Sequence, residues 1–161
     1  MNHQRKTHRS FVSYIDKSRD YYSAQGYRIP YGWAYHNDTP FKQLTKKLSE
    51  STLSIVTTAF FPKGEEPQGV PESTSKKPYA TPSNPIPDEL YTDDVSWDKD
   101  ATDMDDLGSY FPLKALYQKN QEGIVGSVSE HFYGIPTDYN LRRTSDDAKT
   151  ILNWCMEGHV D

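Results

Sequence analysis

The side chains best suited to chemistry lie near the C-terminal end of the chain. His131 and Tyr133 come first, and Arg142 and Arg143 stand directly before a predicted helix. Guanidinium groups and the positive end of a helix dipole both favour an anion, and a planar guanidinium binds a carboxylate through two hydrogen bonds. These four side chains predict a substrate site that holds a carboxylate. The alternative is that the two arginines pair with the acidic segment 93–106.

A second pair of candidate residues, Thr57 and Thr58, follows a short apolar run. Leu53, Ile55 and Val56 stand among β-branched threonines, which is the composition of a core strand. In an open α/β sheet the ligand meets the loops at the carboxyl ends of the strands. We therefore expect the two threonine hydroxyls to lie at the substrate site, where the first core strand ends.

The chain has one cysteine, Cys155, and its position does not fit a reactive role. With Ala148, Ile151 and Leu152 it forms the apolar face of the last predicted helix, whereas a reactive thiol needs exposure and a nearby cation. The sequence has no glycine-rich phosphate loop, no G-x-S-x-G elbow and no Cys/His metal cluster. The aspartates of segment 93–106 do not have the spacing of a calcium loop. We interpret Cys155 as a buried structural thiol, and we predict no catalytic residue, metal ligand or cofactor on this chain.

Hydrophobic periodicity and capping residues predict the elements that position these side chains. The last helix is predicted to begin at Thr144, because T-S-D-D has the pattern of a capping box, and to be capped by Gly158. The first helix carries an aromatic stripe, which we interpret as a packing or dimer face. The other predicted elements are helices over Ser10–Gln25 (closed by Gly26) and Phe41–Leu48, a helix from Phe111-Pro112-Leu113 to Gly123, and strands over Thr52–Thr58, Ile124–Val128 and His131–Tyr133.

The segment from Pro62 to Glu89 contains seven of the eleven prolines and no hydrophobic period. Proline removes backbone donors and polar residues bury little, so we predict an irregular surface excursion without regular structure. The fold class predicted is α/β, an incomplete open parallel-sheet domain, Rossmann-like or flavodoxin-like, with a long irregular Pro-rich insertion. We expect an N-terminal helical arm over 1–50 and a partial α/β domain over 51–161, with the insertion at 62–92. A further strand is expected after residue 161.

Composition limits the function classes. With 18 Lys and Arg against 23 Asp and Glu, the chain lacks the basic balance of a nucleic-acid-binding surface. No apolar run approaches the length of a membrane span, about 18–20 residues, and no signal pattern stands at the N-terminus. A single cysteine fits a reducing cytoplasm. The 12 tyrosines and 6 phenylalanines predict a modest aromatic core that a partner completes.

The segment Val95–Asp161 resembles the glycine/sarcosine/betaine/D-proline reductase family, selenoprotein B type. Three features carry the resemblance: the FPL-x-x-L motif that begins at Phe111, the G-x-V-G motif that begins at Gly123, and the FY pair at 132–133. The segment Tyr21–Ala59 matches the family more loosely.

The resemblance implies an α/β protein with a parallel sheet. It implies reductive cleavage or ring opening of amino acids and betaines by a selenol or thiol, together with a second reductase subunit. In related proteins the catalytic Cys or Sec follows the next strand, so the redox-active residue is expected outside this chain. The chain is then an amino-terminal fragment, a product cut short at a selenocysteine codon, or part of a natural split protein.

Two other interpretations come from the residues themselves. The chain is a non-catalytic interaction subunit in a homo- or hetero-oligomer, because open sheet edges are commonly covered. Alternatively, the aspartates of segment 93–106 make it a small acidic metal-binding module.

Overall fold

The computed structural model describes residues 5–6, 13–28, 38–39, 43–92, 100–135, 137 and 141–161. The chain divides into two compact units, 1–43 and 44–161. In the first unit, strand β1 (Arg5–Lys6) pairs antiparallel with β2 (Asp38–Thr39). Helix α1 (Ser13–Ala24) lies between them in sequence and confirms the predicted first helix. Gly26 follows it with a φ of 85°, a conformation that favours glycine.

The tyrosines at the end of α1 are exposed. Tyr21 and Tyr27 are each 62% exposed and Tyr22 is 48% exposed. Their rings meet edge to face, with centroids 5.5 Å apart for Tyr21 and Tyr22 and 5.6 Å apart for Tyr22 and Tyr27. The N-terminal side chains of the predicted aromatic stripe lie outside the described residues. The packing role assigned to that stripe therefore stays a prediction.

The second unit contains the remaining elements, which form a mixed α/β fold with small parallel and mixed sheets. In chain order they are β3 (Thr52–Leu53), β4 (Val56–Thr57), β5 (Tyr79–Pro82), α2 (Leu107–Tyr110), α3 (Leu113–Gln121), β6 (Ser127–Val128), β7 (His131–Gly134) and α4 (Leu141–Glu157). The predicted helix over Phe41–Leu48 is wrong in its described part, which has only a 3-10 turn at Leu48–Glu50. No helix of the described residues is both long enough and apolar enough to cross a membrane.

This unit contains two pairs of parallel strands. β3 pairs with β6 and β4 pairs with β7, both in parallel, while β5 adds antiparallel to β7 in the order β4-β7-β5. The register moves by two residues between the two parallel pairs, so the β6–β7 chain bulges. The Ser54 hydroxyl bridges this bulge by donating to the His131 carbonyl at 2.7 Å. The strand predicted over Thr52–Thr58 is present as two short pieces, and the strand predicted over His131–Tyr133 is confirmed. The strand predicted over Ile124–Val128 is confirmed only at Ser127–Val128.

The prediction that 62–89 lacks regular structure is wrong at β5. Tyr79–Pro82 forms a strand, and Ser73–Ser75 forms a 3-10 turn. Phe60 and Tyr91 exchange two backbone hydrogen bonds of 2.8 Å. These bonds close the Pro-rich segment at its base. Pairing with β7 and the buried ring of Tyr79, which is 2% exposed, outweigh the local effect of the prolines. That the segment is an insertion into a larger fold stays a prediction.

The core is built from aromatic rings of the Pro-rich segment, of β7 and of the residues just before α3. Phe132, which is fully buried, lies 4.6 Å from Phe111 and 6.2 Å from Tyr79, measured between ring centroids. The Tyr79 hydroxyl donates to the Ala59 carbonyl at 2.7 Å. Leu113 is buried at the start of α3, as predicted. The other buried members of this core are Ala59, Phe60 and Leu90.

Alkaline pH is expected to destabilise the second unit through Tyr79. Burial raises the pKa of the Tyr79 phenol well above its ordinary value of about 10. The unfolded chain then loses this proton first, so the stabilisation is complete below about pH 10 and falls as pH rises above it. Urea midpoints measured at pH 8, 10 and 11 check this. The Tyr79→Phe variant should show a shallower decline; an equal decline in both proteins would contradict the assignment.

Helix α4 begins one turn earlier than predicted, at Leu141. Thr144 therefore lies inside the helix and is not its N-cap, so the predicted capping box is wrong. At the other end the left-handed residue is His159, with a φ of 53°. The Val160 amide donates to the Cys155 carbonyl at 2.8 Å and the His159 amide to the Met156 carbonyl at 3.2 Å, which is a Schellman ending.

The residue before His159, Gly158, has little free space around it. A Cβ on Gly158 would lie 3.1 Å from the Tyr133 hydroxyl oxygen. Asp161 then lies beside β3: its amide donates to the Thr52 carbonyl at 3.0 Å, and its carboxylate accepts from the Thr52 amide at 2.9 Å. The same carboxylate pairs with Lys46 at 2.6 Å. These contacts hold the end of α4 against the parallel strands.

Candidate functional site

A cleft of about 440 Å³ opens at the carboxyl end of β4. One side is the strand end itself, and the other side is formed by segment 100–106 together with α2. The residues that line it are Val56, Thr57, Thr58, Ala59, Thr92, Thr102, Asp103, Met104, Ser109 and Tyr110. The cleft lies where open α/β sheets commonly bind ligands. It also contains the two threonines singled out in the sequence.

The two threonines differ in how they meet the cleft. Thr57 is buried, at 8% exposure, and its hydroxyl accepts a hydrogen bond from the Ala59 amide at 3.1 Å. That bond turns the chain out of the strand and into the core at Ala59 and Phe60. Thr58 is exposed, because alternate residues of an extended chain point to opposite sides. Thr58 is therefore the hydroxyl better placed to contact a ligand.

The opposite wall of the cleft is acidic. We call segment 100–106 the acidic wall; Thr102, Asp103 and Met104 are its lining residues. The exposed Asp103 carboxylate accepts from the Asp105 amide at 3.1 Å. The hydroxyl of Tyr110, in α2, donates to the Leu90 carbonyl at 2.7 Å and lies 3.3 Å from the Met104 carbonyl oxygen. The Tyr110 phenol thus links the wall to the core.

The lining groups decide which ligands suit the cleft. Six of its ten lining residues carry hydroxyls, one carries a carboxylate, and none of the ten is Lys, Arg or His. Hydroxyls donate and accept hydrogen bonds, whereas an ionised carboxylate only accepts. The described lining therefore suits a small neutral polar molecule or an amine cation better than an anion. The ring of Tyr110 adds an aromatic surface, which favours quaternary ammonium groups.

His131 does not join the threonines at the cleft. It begins β7 and is exposed, and its carbonyl accepts from Ser54. Thr57 pairs with Gly134, three residues further along the parallel strand, which is a separation of about 10 Å along the strand direction. His131 therefore lies at the amino end of the strands, and the cleft lies at their carboxyl end.

Tyr133 lies in the interior, on the face of the sheet that α4 covers. It is 2% exposed, its ring stacks on Trp154 at 6.2 Å, and its hydroxyl donates to the Trp154 carbonyl at 3.1 Å. Burial raises the pKa of the Tyr133 phenol, so this group stays neutral and acts as a donor to the helix. Its described contacts join α4 to β7.

Arg143 contacts the Pro-rich segment and its own helix. Its guanidinium donates to the Ser75 carbonyl at 3.4 Å and lies 4.0 Å from the carboxylate of Asp147. Arg143 and these two partners, Ser75 and Asp147, do not line the cleft. The side chain of Arg142 lies outside the described residues, as do residues 93–99 of the acidic segment. The predicted carboxylate site and the alternative of pairing with that segment therefore both stay predictions.

Cys155 has the environment of a structural thiol. Its side chain is half-buried beside Tyr133, and burial raises the pKa of the Cys155 thiol. A raised thiol pKa lowers the thiolate fraction, which is the reactive form. It does not line the cleft. Within the described part of the chain, no group of three or more His, Cys, Asp or Glu side chains is arranged to hold a metal ion.

Most of the lining residues of the cleft were not predicted, among them Asp103, Met104, Ser109 and Tyr110. Asp103 belongs to the acidic segment 93–106, which was interpreted as a partner of the two arginines or as part of a metal-binding module. The rule that ligands bind at the carboxyl ends of strands could have indicated a second wall, because a ligand at the end of β4 also contacts the loop that packs there. Which loop this is depends on the packing of α2 and Tyr110. No local pattern encodes that packing.

Comparisons of the chain with protein-family models, with curated proteins and with solved structures found no match. The fold and the cleft therefore define the protein only as a mixed α/β protein with a hydroxyl-lined cleft at a strand end.

Proposed function

We propose that the second unit is the small-molecule-binding part of a selenol- or thiol-dependent reductase acting on an amino acid or a betaine-like compound. The reaction class is reductive C–N cleavage or ring opening. The observation that carries the proposal is the cleft at the carboxyl end of β4, with hydroxyls on the strand side and Asp103 on the other. The sequence resemblance to the glycine/sarcosine/betaine/D-proline reductases supports the same reaction class.

The lining residues have separate roles in this proposal. Asp103 accepts from, or lies beside, the positive nitrogen of the substrate, because a carboxylate stabilises an ammonium charge. Thr58 and Ser109 orient the polar remainder of the molecule through their hydroxyls. The attacking selenol or thiol comes from outside this chain, since Cys155 is its one cysteine and does not line the cleft. A second reductase subunit is part of the proposal.

Ligand titrations of the full chain test this proposal. Glycine betaine and D-proline should shift the backbone NMR signals of residues 57–59 and 102–104, whereas acetate should not. Asp103→Asn should weaken betaine binding about two- to fivefold, the range expected for an exposed charge interaction of up to about 1 kcal/mol. Asp105→Asn is the matched control, because it removes the same charge from a residue that does not line the cleft. Equal losses in both variants, or no binding to the wild-type chain, would contradict the proposal.

The alternative proposal is a non-catalytic interaction subunit. It is favoured by one observation: among the described residues, β4 pairs with β7 only, and Val56 is 51% exposed at that edge. Exposed strand edges commonly pair with another chain. Light scattering of the purified chain separates the two proposals. A monomer at all concentrations that binds betaine supports the first, and an oligomer without ligand binding supports the second.

A further inference from the structure

We propose that Tyr110 is a positioning residue that holds the acidic wall in place and so sets the preference of the cleft for ligands with a positively charged nitrogen over uncharged polar molecules. The inference rests on the proposed function for the identity of the ligand. The mechanical part, that one phenol holds the wall, depends only on the contacts of Tyr110. These two parts have separate tests.

The Tyr110 side chain reaches from α2 to the core and to the acidic wall. Tyr110 is the last residue of α2 and packs against the core, half-buried. Its hydroxyl donates to the carbonyl of Leu90, which is fully buried, at 2.7 Å. The same oxygen lies 3.3 Å from the Met104 carbonyl. A phenol has one hydrogen, so it is shared unequally between the two carbonyls, and the phenol connects the wall to a fixed point of the core.

The other described hydrogen bonds of the acidic wall lie within the turn before α2. The Asp105 amide donates to Asp103, and both the amide and the hydroxyl of Ser109 donate to the Asp106 carbonyl. These bonds shape the turn before α2 but do not reach the core. Among the described residues, the Tyr110 hydroxyl is the hydrogen-bonding group that joins the wall to Leu90. Removing the Tyr110 hydroxyl keeps the shape of the turn but leaves the acidic wall less firmly held against the core.

The Tyr110 phenol is protonated at neutral pH. Burial, together with the negative charge of Glu89, raises the pKa of Tyr110 above its ordinary value. The group therefore keeps its proton, and its ability to donate, throughout the neutral range. The position of Asp103 depends on this bond, because Asp103 is adjacent to Met104 in the wall. A ligand with a positively charged nitrogen needs Asp103 in place, whereas an uncharged ligand bound by the strand-end hydroxyls does not.

Tyr110→Phe tests the inference, since it removes the hydroxyl and keeps the ring that packs on the core. The matched control is Tyr117→Phe, which removes a hydroxyl from another half-buried tyrosine at the edge of the same core. Without ligand, ¹⁵N order parameters of residues 102–105 should fall in Tyr110→Phe and stay at the wild-type value in Tyr117→Phe. With ligand, affinity for glycine betaine should fall about two- to fivefold, and by more than affinity for glycerol.

The outcomes distinguish this inference from the proposed function. Unchanged order parameters in Tyr110→Phe would overturn the inference even if the wild-type chain binds betaine. An equal loss of betaine and glycerol binding would also overturn it, because that pattern indicates a general structural role. If the wild-type chain binds neither compound, the proposed function fails, and lower order parameters in the wall would still support the positioning role of Tyr110.

Discussion

Gly134→Ala is expected to lose more than about 3 kcal/mol of unfolding free energy, at or beyond the upper end for overpacking a core. A Cβ at position 134 would overlap three ring atoms of Tyr79. The two residues are paired neighbours on β7 and β5, so their side chains point to the same face of the sheet. The ring of Tyr79 occupies the space above Gly134.

The Tyr79 ring cannot move aside without further loss. Its hydroxyl is bonded to the Ala59 carbonyl, and its ring lies 5.3 Å from Phe60 and 6.2 Å from Phe132, measured between centroids. Moving it would leave the buried Ala59 carbonyl without this bond, which costs about 1–3 kcal/mol. The clash is therefore relieved only by displacing β5 from β7.

Urea unfolding followed by circular dichroism measures this effect. Gly108→Ala is the matched control: it lies in α2, and its Cβ would meet only the carboxylate of Asp106 at 3.2 Å. Because alanine is the better helix former by about 1 kcal/mol, the control should be neutral or slightly stabilising. The double variant Gly134→Ala, Tyr79→Ala should be less unstable than the sum of its single changes. Wild-type stability in Gly134→Ala would show that Tyr79 does not cover this position.

Helix α3 was predicted correctly because its own side chains show a period. The inward side of α3, with Leu113 buried and Leu116 packed on the core, follows from helical spacing after a proline. β5 was missed because prolines dominate its neighbourhood. Its four residues Tyr79–Pro82 pair with β7 through tertiary contacts, and such contacts override local propensity.

The site shows the same division. The strand-end rule placed Thr57 and Thr58 at the cleft, because the direction of a strand fixes where its carboxyl end lies. His131 was grouped with the arginines by proximity in sequence, yet the parallel pairing puts it at the opposite strand end. Asp103 and Tyr110 reach the cleft through packing of α2. That packing depends on the hydrogen bond from Tyr110 to Leu90, which joins residues far apart in the chain.

The second large effect is expected for Phe132→Ala, which should lower the unfolding free energy by about 3–5 kcal/mol. Phe132 is fully buried, and its ring contacts Phe111 at 4.6 Å and Phe61 at 6.3 Å between centroids. Alanine would leave a cavity at the meeting point of β7, α3 and the Pro-rich segment. A domain of this size is typically stable by about 5–15 kcal/mol. The variant should therefore melt at a markedly lower temperature.

The neighbouring exposed residue supplies the control for Phe132→Ala. His131→Ala changes a side chain that points to solvent, so its effect should stay within about 0.5 kcal/mol. Phe132 does not line the cleft, so weaker ligand binding in Phe132→Ala should follow the unfolded fraction measured by circular dichroism. Asp103→Asn should show the opposite pattern, with weaker betaine binding at wild-type stability. If Phe132→Ala weakened binding while remaining fully folded, the ligand would lie against the aromatic core, and the cleft at the end of β4 would not be its site.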